Sequence, residues 1–113
     1  MSAAVRARVD AIIAAQLAEG RRMQGDAYFT DLSTRHNVGI DVSGAANVAR
    51  NCVEAVAASG VSEPIAFVRE VSRRLRELKD EYAEAIEDPD GYGAATFHEI
   101  QAALAALLEE LGG

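Results

Sequence analysis

A chain of 113 residues with a net charge of −7 has room for one hydrophobic core, and its acidity argues against a nucleic-acid binder that works through phosphate contacts. Half of the residues are apolar, but 23 are alanine, with three Phe, three Tyr and no Trp. The expected core is therefore thin, since a buried alanine contributes well under the roughly 1.5–3 kcal/mol of a buried Leu or Phe.

The first helix is expected from about Ala3 to Glu19, with Val5, Val9, Ile12, Ile13 and Leu17 on one stripe and Gly20 or Gly25 as its stop. Arg6, Arg8 and Asp10 interrupt any apolar leader, and no apolar run approaches the length of a membrane span, so neither an export signal nor a membrane segment is expected. The stretch GDAYFTDLSTRHNVGIDV follows. It is too long for an ordinary connection in a compact domain, so part of it is expected to pack, as a lid or a helical turn near Tyr28 to Thr34. Tyr28 and Phe29 are candidate aromatic anchors for a protein partner, with the core as their alternative home. His36 is the centre of a minor alternative, a small helical enzyme, although no carboxylate or cysteine stands at a spacing that defines a catalytic pair.

The second helix is expected from about Ser43 to Ala58, carrying Val48, Cys52, Val53 and Val56 inward, with Asp41 or Ser43 as cap and Gly60 beyond its end. Cys52 is the chain's one cysteine; it reads as an inert core thiol and fits a reducing, cytoplasmic setting. The third helix is expected to be capped by Ser62, to hold Pro64 in its first turn and to run to about Glu87. Its stripe, Val68, Val71, Leu75, Leu78, Tyr82 and Ile86, has gaps of 3, 4, 3, 4 and 4, the spacing of a helix packed lengthwise in a bundle or against a second copy.

Charge changes sign along the third helix. Residues 1–79 hold all 11 Lys and Arg against nine acids, whereas residues 80–113 hold nine acids and no base. Arg69, Arg73 and Arg76, within a cluster that includes Arg74 and Lys79, are candidates for gripping carboxylates of another chain, including those of a second copy; solvated surface and intramolecular pairing such as Arg76 with Asp80 are the bland alternative. The acids near the end of this helix oppose its dipole, which a cation or a basic partner surface would relieve.

The twelve residues DPDGYGAATFHE, 88–99, resemble the calcium loop of the EF-hand family. The resemblance implies Asp88, Asp90, Thr96 and Glu99 as calcium ligands, with Gly93 at the sharp turn and Ala94 offering its carbonyl. The segment departs from the family at Tyr92, where an oxygen ligand is usual, and at Glu87, Glu84 and Asp80, where the incoming helix is usually apolar; no second loop accompanies it. The competing reading is a turn followed by a capping box, with Thr96 as N-cap and Glu99 returning to the cap's amide, and that reading is preferred. The fourth helix is expected from about Phe97 to Leu111, with Ile100, Leu104, Leu107, Leu108 and Leu111 inward.

Taken as a whole, the sequence predicts an all-α, four-helix bundle-like single domain over 1–113 with a long structured connection between helices 1 and 2. The expected role is non-catalytic: an interaction or assembly module that binds a protein partner or forms a homo-oligomer, with no resident cofactor, no nucleic acid and no membrane. A calcium-binding protein with one degenerate EF-hand-like loop at 88–99 is the alternative.

Overall fold

The computed structural model describes the backbone of residues 3–25, 32–86 and 92–112, and the side chains of these except 21, 23–25, 32–41, 81–86 and 92–94. Among the described residues the chain forms four helices and no strand: α1 (Ala3–Gly25), α2 (Leu32–Ala58), α3 (Pro64–Ile86) and α4 (Tyr92–Glu110). The all-α, bundle-like architecture is the expected one. Two helix starts, those of α2 and α4, are not where local signals put them, whereas α1 ends at the second of its two expected stops. Helix α1 reads through Gly20, which is buried, and ends at Gly25. Helix α2 begins at Leu32, so most of the stretch between the first two expected helices is itself helix, and Asp41 and Ser43 lie inside α2 instead of capping it. The Ser43 hydroxyl is buried without a hydrogen-bond partner among the described residues. Tyr28 and Phe29 lie outside the described residues.

The turn between α2 and α3 is built from local chemistry. Gly60 adopts φ +89°, a left-handed conformation that closes a helix cheaply only for glycine, and the Ser59 hydroxyl donates to the Val56 carbonyl at 2.6 Å. Pro64 occupies the first helical position as expected. The cap is not Ser62, however, but Glu63. Its two carboxylate oxygens accept from the Ile65 amide at 3.1 Å and the Ala66 amide at 2.7 Å, and its carbonyl accepts from the Phe67 amide at 2.9 Å. The longer Glu side chain reaches both free amides, and its charge sits at the positive end of the helix dipole.

Neighbouring helices run antiparallel. Arg6 near the start of α1 pairs with Glu54 near the end of α2, and Arg8 pairs with Glu110 at the end of α4. The Gln101 amide of α4 donates to the Ser72 carbonyl of α3 at 3.2 Å. The bundle is elongated, 46 × 26 × 23 Å, with α1 and α2 paired along most of their length. Across its section, α2 and α4 approach along one diagonal, while α1 and α3 barely meet along the other. All four helices feed one core, with Val9 and Ile13 from α1, Val53 and Val56 from α2, Phe67 and Leu75 from α3, and Phe97 and Leu104 from α4. Phe67 and Phe97, its two largest side chains, are completely buried. Ala45, Ala46 and Ala49 on α2 are completely buried as well, and these small residues let backbones pass close together.

Two substitutions check this account. Glu63→Ala is expected to lower stability by about 1 kcal/mol, whereas Ser62→Ala changes it by less than about 0.5 kcal/mol, as read by urea unfolding. Ala49→Leu is expected to cost about 1–3 kcal/mol, because the added atoms have no room to enter; an unchanged midpoint would contradict close packing there.

Candidate functional site

Three surface regions collect the side chains that chemistry or binding would use. The first is a crevice of about 300 Å³ where α1, α2 and α4 meet, lined by Gln16, Glu19, Val42, Thr96 and Glu99 among others. Thr96 is not an N-cap. Helix α4 starts four residues earlier, at Tyr92, which places Thr96 inside the helix with 3% of its surface exposed. Glu99 does not turn back to an amide of its own helix; its Oε2 accepts from the Gln16 side-chain amide of α1 at 2.7 Å. The capping box is thus replaced by a contact between helices. Thr96 and Glu99 do share this crevice, while Asp88 and Asp90, the other two residues implied by the calcium-loop resemblance, lie outside the described residues.

The second region is the outward stripe of α3. Arg69, Arg73 and Arg76 are all exposed and recur at gaps of 4 and 3, on the side of the helix opposite the buried Val68, Val71 and Leu75. Arg73 is engaged on its own helix, donating to Glu70 at 2.7 and 3.0 Å and to Glu77 at 2.8 Å. Arg74 donates to Glu70 at 2.8 Å from the flank. Hydrogen bonds from both guanidinium groups hold the Glu70 carboxylate down to about 2, from an ordinary 4.5, and the same contacts raise Arg73. The expected i,i+4 pair of Arg76 with Asp80 does not form, and neither residue, nor Arg69, has an ion-pair partner among the described residues. A base placed before an acid at that spacing is the weaker orientation.

The third region was not singled out by sequence reasoning. Ala4, Ala7, Ala11, Ala14 and Ala18 are all exposed on α1, at gaps of 3, 4, 3 and 4, so its outward face is a smooth, uncharged stripe. Beside it runs a groove of about 420 Å³ between α1 and α4, walled by Ala11, Ile12, Ala103, Ala106 and Leu107 and bordered by the Arg8–Glu110 pair. The signal was present as a second heptad-like spacing in the first helix, out of phase with the apolar stripe. It is easily taken for alanine's ordinary helix preference.

The remaining candidates are placed as follows. His36 belongs to the helical backbone of α2, with its side chain outside the described set, and His98 is exposed on α4. Cys52 is 5% exposed, its sulfur lies 3.9 Å from the Val71 carbonyl as donor, and burial pushes the thiol's pKa up. That suppresses the thiolate a nucleophile needs. Among the described residues, no helix is long and apolar enough to cross a membrane. Comparison with protein-family models, with characterised proteins and with solved structures finds no match to this chain.

The Glu70 cluster gives a pH-dependent expectation. A carboxylate whose pKa is depressed on folding stabilises fully above its unfolded value near 4.5, and that contribution is lost as pH falls through about 2. Glu70→Gln is therefore expected to melt below the wild type at neutral pH, with the two melting temperatures converging near pH 2. Parallel melts followed by circular dichroism read this directly, and a gap that persists in acid would assign the effect to packing.

Proposed function

We propose that the chain is a non-catalytic helical interaction module that associates with copies of itself, or within a larger complex, through the alanine-lined outward face of α1. The observation that carries this reading is the exposed stripe Ala4, Ala7, Ala11, Ala14 and Ala18, with no charge along it and a groove alongside. Small side chains allow a second helix to approach at the short end of the usual interaxial range, about 8 Å, where many weak dispersion contacts add. An interior rich in alanine supports the same reading, because burial against another chain supplements what the chain buries alone. The raised thiol pKa of Cys52 fits a structural cysteine held reduced in the cytoplasm. The net charge of −7 favours a protein partner over nucleic acid.

Sedimentation velocity over a wide concentration range tests the reading. A concentration-dependent rise in mass is expected, and Ala11→Arg, which places a long charged side chain at the centre of the stripe, is expected to reduce it without changing helicity. A strictly monomeric wild type that also recovers no partner from its native host would sink the proposal.

A further inference from the structure

We propose that a second copy of the chain docks antiparallel along the outward stripe of α3, with Arg76 of each copy opposite Asp80 of the other. This inference rests on the reading of the chain as self-associating and names a further surface for it. The stripe reads Ala66, Arg69, Arg73, Arg76, Asp80 at gaps of 3, 4, 3 and 4, and every member is exposed. It is basic in its first half and turns acidic at Asp80, and beyond that the α3 sequence has acids and no base. Such an order is self-complementary when two copies run in opposite directions, because the basic half of each then lies beside the acidic half of the other.

A two-fold axis at the level of Leu78 sets Arg76 opposite Asp80 twice. The same register brings Arg73 within one residue of position 84 of the second copy, where the sequence has a glutamate. One patch thus serves both sides of a closed, isologous contact.

Two features of α3 favour this occupant. Arg76 and Asp80 are both exposed and neither has an ion-pair partner among the described residues, so docking them displaces no existing pair. In addition, α3 carries no base in its last turn, and its acids accumulate toward the end where the helix dipole is already negative. An antiparallel neighbour brings arginines and the positive end of a second dipole to that end. Guanidinium groups also suit carboxylates geometrically, since both are planar and can bond through two parallel contacts.

Charge reversal and rescue test the pairing. By sedimentation equilibrium, Arg76→Glu and Asp80→Arg alone are each expected to weaken self-association roughly tenfold, since each converts two attractions into repulsions. The double variant R76E/D80R restores the opposite-charge pairing and is expected to return the wild-type affinity; its Glu-before-Arg order also favours the helix. Association that is lost with Ala11→Arg but indifferent to both single reversals would overturn this inference and leave the proposed function standing. Single variants that weaken association without rescue by the double variant would overturn the pairing. A strictly monomeric wild type would remove both.

Discussion

Small residues buried on α2 set the geometry of this bundle. Ala45, Ala46 and Ala49 are completely covered, and α2 lies close to α4 along one diagonal while α1 and α3 are held apart along the other. A larger side chain at these positions would need either a wider bundle or a vacancy elsewhere, and both cost more than alanine's modest transfer energy. With α2 and α4 meeting between them, α1 and α3 turn their outward faces to opposite flanks. One flank is smooth and uncharged, and the other is lined by arginine.

Electrostatics supports the packing more than it dictates it. Arg6, Arg8 and Gln16 join α1 to α2 and α4 through side chains that remain partly in water. Such exposed pairs contribute little each, and their effect is mainly to fix which ends of the helices lie together. The Glu70 cluster is more tightly organised, since one carboxylate accepts from two guanidinium groups, those of Arg73 and Arg74, one turn further along the helix. Among the described residues it also leaves Arg69 and Arg76 without an ion-pair partner, which gives that flank its outward charge.

Much of the fold was legible because apolar spacing reports which side of a helix faces inward. Val5, Val9, Ile13 and Leu17 on α1, Val68, Val71 and Leu75 on α3, and Ile100, Leu104 and Leu107 on α4 are all buried on the expected stripes. Helix limits were less legible. Of the two glycines that could stop α1, Gly20 is buried within the helix and Gly25 ends it; Ser62 looked like a cap but stands one residue before the Glu63 that reaches the amides. The candidate site was legible only in part. The arginine stripe follows from spacing alone, whereas the partner of Glu99 is a glutamine 83 residues away in sequence.

The sequence by itself determined four helical segments, their inward stripes, the turn at Gly60 and Pro64, and the imbalance of charge along the chain, because each of these depends on residues within one or two turns of one another. Tertiary structure decided what local chemistry leaves open. In DPDGYGAATFHE, the final Glu99 had two local options, to cap its own helix or to face a cation, and the described contact is a third: it reaches across to Gln16 of α1. Thr96 is drawn inside α4 as a buried residue by the same packing of α4 against its neighbours. A capping box satisfies the first amides of a helix, but a helix that begins one turn earlier moves those amides away, and the side chains once aligned for the cap become contacts between helices.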